Sequence, residues 1–466
     1  MVFKSFFVVL FFVVTIFAKW GEPPAGWDDF KFGVVDGNRS PFKAALSDAV
    51  SAGIQVDYSY IYITTLADIE GFLFAPWFNY ATSRPGDVKP SITIYMLQQG
   101  QDSPDGSSAL TSAADASYMK KYFEGVAQIA DSCKGTNPIY VIEPDVWGYL
   151  LAQNQPSLSD KNLKKICHIN DLGLSWLSEF DNTMDNLPAA IIKTLKTVDP
   201  GCYAGILMAH WGFPDDIAGA TADGEMSGEY ISKMLKEPYR GDFIGIEKNG
   251  TDAGCWGTGS SWYWSDSKNE AYLAWCKALG QKVDLPLFGW QISIGYTDQA
   301  GYDPLPNSSG RYEDTYFQYF FTHVDDFIKA GFIGFDASCN NQGQGTWPAL
   351  KSGEGDNGWF YDNLKVFNKA RPYDLNLSGS FVKSGKSLAQ KGALNVLGIT
   401  SGVIRVSAGI PLIGVKLYSP SGKLLRSVDV EDSKEISVPM NGLSKGIYYL
   451  SASLKDGGTV SRKVSF

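Results

Sequence analysis

The sequence predicts a (β/α)8 TIM-like barrel followed by a small C-terminal β-sandwich. Three observations carry that expectation. Eight short apolar runs recur along the chain with helix-length spacers between them. Their hydrophobicity is nearly continuous, as in strands buried on both faces of a parallel sheet. Beyond residue 372 the texture changes to short alternating strands punctuated by turn signals.

The runs are FKFGVVD (30–36), VDYSYIYIT (56–64), SITIYML (91–97), PIYVIEPD (138–145), YAGILMAH (203–210), DFIGIEK (242–248), LPLFGWQI (285–292) and GFIGFDA (331–337). Helical stretches between them include 116–133, 187–198, 268–281 and 316–331. In the first, Tyr118, Tyr122, Val126 and Ile129 recur at helical spacing, so that aromatic stripe reads as packing. A doubly wound open sheet is the alternative arrangement of the same units. The expected organisation is a signal peptide at 1–18, a barrel at 19–372 and a β-sandwich at 373–466.

The chain has 466 residues, 44% of them hydrophobic and 19% charged, which suffices for a large buried core. A net charge of −10 and the lack of a basic stripe argue against nucleic acid and anionic membranes as partners. The 13 Trp, 24 Tyr and 27 Phe either fill that core or line a surface that stacks against sugar rings. The opening MVFKSFFVVLFFVVTIFAKW has Lys4 before an apolar run ending at Ala18, a secretory signal pattern rather than a membrane span. No other stretch has transmembrane length. Six cysteines (133, 167, 202, 255, 276, 339) lack CxxC spacing and, in an exported protein, allow up to three disulfides. The three histidines (168, 210, 323) are too scattered for a typical zinc site, and no metal or other cofactor is expected.

Chemistry in such a barrel sits where the strands run out at their C-terminal ends. The polar residues there are Asp36, then Gln98, Gln99 and Asp102, then Glu143 and Asp145. His210 with Trp211, Glu247, Gln291, and Asp336 with Asn340 end the later strands. Glu143 and Asp145 are two apart, so extended geometry would project both to one side, with Pro144 stiffening the corner. The competing reading of Asp145 is an N-cap of the helix that follows. The loop CWGTGSSWYW (255–264) adds Trp256, Trp262 and Trp264, and Trp290 lies on the seventh strand; all four are candidates for stacking on a sugar.

The run YVIEPDVWGYLLAQ resembles the IEPD motif of glycoside hydrolase family six, the cellobiohydrolases and endoglucanases with a distorted barrel. GILMAHWGFPDD is similar to that family's strand with a histidine and a tryptophan. The resemblance spans roughly residues 91–215. It implies that Asp145 is the base or charge partner and that His210 and Trp211 contact sugar. The sequence departs at IYMLQQGQDSPD, where Met96 and Gln101 stand in acid positions and Asp102 falls one place late. The closing section, VKLYSPSGKLLRS through GIYYLSASLKDGGTVSRKVSF, resembles C-terminal sorting domains of type IX secretion cargo. It implies a bacterial secretion machinery as partner and a secreted or cell-surface location.

Gln291 stands where many retaining barrels carry a nucleophilic glutamate, and an amide cannot serve, so an inverting pair is expected. The candidate catalytic residues are Asp102 or Glu143 as acid and Asp145 as base, with Glu247 and Asp336 in reserve. Asp36, His210, Trp211, Trp256, Trp262, Trp264, Trp290, Gln291 and Asn340 are the candidate substrate contacts. The activity these imply is hydrolysis of a polysaccharide, foremost a β-1,4-glucan such as cellulose. A non-catalytic glycan-binding barrel and a metal-dependent deacetylase are the alternatives.

Overall fold

A computed structural model of the chain describes residues 20, 22–35, 49, 51–70, 88–101, 103, 105–152, 162–209, 215–247, 265–294, 315–338, 358–375, 394–400, 403–419, 424–443, 447–455 and 459–465. The chain divides into two compact units, Met1–Ser380 and Phe381–Phe466.

The first unit is a closed barrel of eight parallel strands. They are β1 Lys31–Val35, β2 Tyr58–Ile63, β3 Lys89–Ile94, β4 Ile139–Ile142, β5 Tyr203–Met208, β6 Phe243–Glu247, β7 Leu287–Ser293 and β8 Phe332–Ser338. Every strand pairs with its sequence neighbour, and β8 returns to β1 with Phe32 opposite Phe335 and Gly33 opposite Asp336. That last pairing excludes the doubly wound alternative, whose edge strands stay unpaired. Ile61, Ile63, Ile92, Ile94, Tyr140, Ile142, Ile206, Ile244 and Ile246 are all buried, which explains the unbroken apolar runs.

Two bonds define the barrel interior because they join strands that are not neighbours. Ser91 Oγ on β3 donates to Asp336 Oδ2 on β8 at 2.6 Å, and Trp290 Nε1 on β7 donates to Thr93 Oγ1 on β3 at 2.8 Å. Gly33 is required here: a Cβ at that position would lie 1.8 Å from Asp336 Oδ1. The N-terminal end is closed by Trp27. Its indole stacks on Tyr58 at 5.9 Å and meets Tyr203 edge-on at 4.9 Å and Phe288 at 6.0 Å, from the starts of β2, β5 and β7.

The outer helices fall where their periodicity places them. Ala116–Cys133 buries Met119, Tyr122, Phe123, Val126, Ile129 and Cys133, and Asp115 caps it by accepting from the Ser117 and Tyr118 N–H groups. The expected 316–331 helix is instead two, Thr315–Thr322 and Val324–Lys329, divided at His323, whose φ of −134° is non-helical. The four described cysteines, Cys133, Cys167, Cys202 and Cys276, are buried free thiols. The expectation of up to three disulfides is therefore corrected; Cys255 and Cys339 lie outside the described residues. Burial pushes the Cys133 and Cys202 thiols up to about 12, so they stay neutral, behaving as small apolar groups. No described helix is long and apolar enough to cross a membrane, and residues 1–18 lie outside the description.

The second unit is an antiparallel sheet of five strands, β9 Leu394–Thr400, β10 Val403–Tyr418, β11 Leu424–Pro439, β12 Ile447–Leu454 and β13 Thr459–Ser465. The long β10–β11 hairpin is interrupted by register shifts between Ser407 and Gly414. One half of β10 pairs with β9 and the other with β12. Ile404, Val406, Leu412, Val415, Leu417, Val438 and Leu450 share one apolar cluster with Tyr448.

Arg371, just past the last barrel helix Trp359–Ala370, ties the end of that helix to the barrel's start. Its guanidinium bonds Asp29 through Nε and Asp57 through Nη2 at 3.0 Å, and its side chain is 7% exposed. Asp29 Oδ1 also accepts from Tyr373 N–H at 2.7 Å, and Asp57 Oδ2 from Phe32 N–H at 2.8 Å. Replacing Arg371 with Met leaves two largely buried carboxylates without their cation. We expect a loss of about 3–5 kcal/mol in unfolding free energy by denaturant titration.

Candidate active site at the barrel mouth

On β3 the interior positions are Ser91, Thr93 and, one residue past the strand, Tyr95, because side chains alternate and the first two make the cross-barrel bonds. The chain then turns through Met96–Gly100. On β4, Glu143 continues the ladder by donating its N–H to Ile94 O at 2.7 Å, after which Pro144 ends pairing. Glu143 has a φ of 47° and Asp145 one of 68°, both in the left-handed region. The twist turns the two acids in opposite directions, contrary to the common side expected from their spacing.

Glu143 points outward into the wall between β3, β4 and the helix Ala116–Cys133. Its carboxylate accepts from Met96 N–H at 3.1 Å, from Leu97 N–H at 3.2 Å and from the Tyr122 hydroxyl at 2.7 Å. It has no exposed surface, and burial outweighs these donors to push its carboxyl up to about 8. The expectation that Glu143 is a catalytic acid is corrected: it is a bracket joining two strand ends. Asp145 is half-buried and faces the other way, accepting from the Tyr95 hydroxyl at 3.0 Å. Tyr95 in turn accepts from Gln98 Nε2 at 2.8 Å. Asp145 also begins the helix Val146–Ala152 through its backbone carbonyl, which accepts from Tyr149 N–H.

Trp290 is corrected too. It was expected to stack on a sugar, but it is 1% exposed, with its indole bonded to Thr93 and Tyr62 packed edge-on at 5.4 Å. It forms the floor of the mouth. Glu247, half-buried at the end of β6, lies opposite Trp290 in the parallel register and so shares its interior face. Gln291 follows at a β-bulge: between Gly289 and Ile292, β7 takes one more step than β8 takes between Phe335 and Ala337. Its φ of 51° and half-buried side chain suit a bulge that redirects a polar group at a rim.

Asp336 lies one pleat deeper, bonded to Ser91 rather than reaching the rim. It has no exposed surface, and its Oδ1 has no described hydrogen-bond partner. Burial pushes its carboxyl up to about 7 against the pull of the Ser91 hydroxyl. As a reserve catalytic group it is corrected to an interior acid out of reach of a polymer. Asp36, Asp102, His210, Trp211, Trp256, Trp262, Trp264 and Asn340 lie outside the described residues. The structure thus brings Asp145, Glu247 and Gln291 to one mouth over Trp290.

Tyr95, Tyr62 and Thr93 were missed as site residues. The signal was present: Ser91, Thr93 and Tyr95 are polar alternates in an otherwise apolar run, marking one inward face. Among the described residues no group of three or more His, Cys, Asp or Glu is arranged to hold a metal ion. Six non-glycine residues among those described have positive φ, and four of them, Gln99, Glu143, Asp145 and Gln291, sit at the C-terminal ends of β3, β4 and β7. Such conformations cost about 1–3 kcal/mol each and cluster at functional sites. That asymmetry marks this rim rather than the opposite end.

Asp336 also sets a pH dependence. Its pKa is raised in the folded chain, so the folded state holds its proton more tightly than the unfolded one. The stabilising contribution is complete below about 4 and is lost as pH rises to about 7. Asp336→Asn removes this slope. Chemical denaturation of the two proteins at pH 4, 5, 6 and 7 should show wild type losing a few kcal/mol relative to the variant, an order-of-magnitude figure from linkage.

No protein-family model matches the chain, and no curated protein matches it. Among solved structures, active domain 2 of a thermostable chitinase from Pyrococcus furiosus is similar at 13% identity, TM-score 0.40, over 77% of this chain and 98% of that one. The catalytic core domain of a cellobiohydrolase from Chaetomium thermophilum is similar at 13% identity, TM-score 0.32, over 59% and 73%. A family-six glycoside hydrolase from Orpinomyces sp. Y102 is similar at 12% identity, TM-score 0.33, over 55% and 67%. These are likenesses in the course of the chain, and nothing about chemistry rests on them.

Proposed function

We propose that the chain is a secreted glycoside hydrolase that cleaves β-1,4-glucan by inversion, with Asp145 as the base. The observation that supports this reading is a hydrogen-bonded acid just past β4, Asp145, together with a second half-buried acid, Glu247, at the end of β6 on the same rim of one barrel. β5 stands between β4 and β6 in the barrel. An inverting pair works at about 6.5–9.5 Å between carboxyl groups, which leaves room for the attacking water. Glu247, or Asp102 on the β3 loop, then protonates the leaving glycosidic oxygen. Gln291 is suited to hold a sugar hydroxyl. The resemblance of YVIEPD to the family-six motif supports the choice of glucan and of Asp145.

Export belongs to the same proposal. The apolar leader ending at Ala18 and the sorting-type strands near Phe466 favour delivery by a bacterial secretion machinery to the cell surface or medium. A second reading is a non-catalytic glycan-binding barrel, favoured because two of the candidate acids, Glu143 and Asp336, are enclosed.

The two readings separate on a panel of β-glucan, xylan and mannan. A hydrolase releases reducing sugar, and Asp145→Asn and Glu247→Gln each lower the rate at least about a hundredfold. Retention on insoluble cellulose without release from any member of the panel would instead leave the binding barrel.

A further inference from the structure

A second group of charges stands apart from the barrel mouth. A cavity of about 260 Å3 is lined by Leu163, Lys164, Asp185, Lys233 and Lys236, and by none of the mouth residues Asp145, Glu247, Trp290 and Gln291. Leu163, Lys164 and Asp185 lie between the helix Val146–Ala152 and β5, whereas Lys233 and Lys236 follow the helix Ile217–Ser232. The one acid of the lining is fixed by the chain around it. Asp185 is 3% exposed, its N–H donates to Leu163 O at 3.0 Å, and Met184 N–H donates to Lys165 O at 3.0 Å. Asp185 Oδ1 accepts from the Thr183 hydroxyl at 2.5 Å and from Asn186 Nδ2 at 3.3 Å. Oδ2 is left to the lysines, and two share it, Lys164 Nζ at 2.9 Å and Lys236 Nζ at 3.1 Å. Those two ammonium nitrogens therefore stand within about 6 Å of each other around a single negative charge. Lys233 brings a third ammonium to the same cavity. It is half-buried, and its side chain has no hydrogen bond or ion pair among the described residues.

We propose that this cavity binds a tetrahedral oxyanion, a phosphate or sulfate group, between Lys164, Lys233 and Lys236. The lining holds three cations to one acid, in a chain whose net charge is −10. Partly buried ammonium groups held this close repel one another, and an anion among them relieves that repulsion while Asp185 keeps its own charge. Donor count favours an oxyanion over a carboxylate. An ammonium has three N–H groups and no acceptor, so three of them are better answered by four oxygens than by two. The walls are held in place as well: Ile166 and Thr183 form a β-bridge that sets the Lys164 side of the segment against the Asp185 side. The site uses no feature of the mouth and does not depend on the hydrolase reading.

The full chain is titrated with inorganic phosphate and with inorganic sulfate by calorimetry, at an ionic strength held constant with chloride. One saturable site is expected, and Lys233→Gln should weaken it about tenfold through the loss of one charge-assisted hydrogen bond. Phosphate should raise the thermal midpoint of the wild type and raise that of the variant less. Glucose 6-phosphate identifies the source. Tighter binding than inorganic phosphate assigns the cavity to a sugar ester, and weaker binding assigns it to the free ion. Lys233 also stands at a helix C-terminus, where a cation is favourable by itself. If that is its whole role, Lys233→Gln lowers the midpoint equally with and without phosphate, and the proposal is overturned. No saturable binding of either anion, or binding that Lys233→Gln leaves unchanged, overturns it too. Should Lys233→Gln fail to fold, Lys164→Gln decides, since that side chain is 62% exposed and lies on the opposite wall; unchanged affinity there overturns the site. Sugar release is read in no arm, so failure here leaves the hydrolase reading standing.

Discussion

The rim of the barrel depends on a carboxylate that never reaches it. Glu143 accepts two backbone N–H groups from the turn after β3 and a tyrosine hydroxyl from the outer helix, all without contact with solvent. Backbone donors at a strand end have no ladder partner and would otherwise need water. A buried acceptor with two oxygens satisfies them together and fastens the end of β3 to the end of β4. Because Glu143 and Asp145 flank one proline, the same fastening sets where Asp145 can be. The positive φ at both residues follows from this: one acid must turn into the wall and the next into the mouth within three residues.

Most of the barrel was legible because it depends on burial patterns that few other folds produce. Apolar runs such as YIYIT and SITIYML appear as β2 and β3, and the stripe at Tyr118, Tyr122, Val126 and Ile129 as the helix Ala116–Cys133. The His323 break was not legible, since the flanking YFQYFF and VDDFIK both read as helix. Closure was expected from the number of units, yet only the pairing of β8 with β1 distinguishes a barrel from an open sheet. Cysteines mislead in the same way: even number and export suggest pairing, whereas Cys133 and Cys276 serve as small apolar groups at helix–barrel contacts.

At the site, the residue types were legible and their directions were not. Period-two reasoning puts Glu143 and Asp145 on one face, and it fails because it assumes extended φ where the chain adopts left-handed φ. Trp290 reads as a stacking platform from its place at a strand end, but its indole is seated inside the barrel, bonded to Thr93 and packed edge-on by Tyr62. Tyr95 is the opposite case. It looked like part of an apolar strand, and its hydroxyl becomes informative only once Gln98 and Asp145 are seen on either side of it.

Depth then sorts the acids of the first unit into separate tasks. Asp336 and Glu143 have lost water on all sides, and desolvation holds both carboxyls above their ordinary range. A group in that position contributes to packing and to the pH response of the fold, but no polymer can touch it. Asp145, just past β4, and Glu247, at the end of β6 beside the aromatic floor, are half-buried rather than enclosed. The aromatic wealth of the chain, with Phe30, Phe32, Tyr316, Phe317, Phe320, Phe335 and Phe367 packed on one side of the barrel, is largely a core property. The functional signal therefore lies less in how many rings and acids the sequence holds than in which two acids the strand ends leave half-open. One follows the end of β4 and the other closes β6, with β5 between those strands.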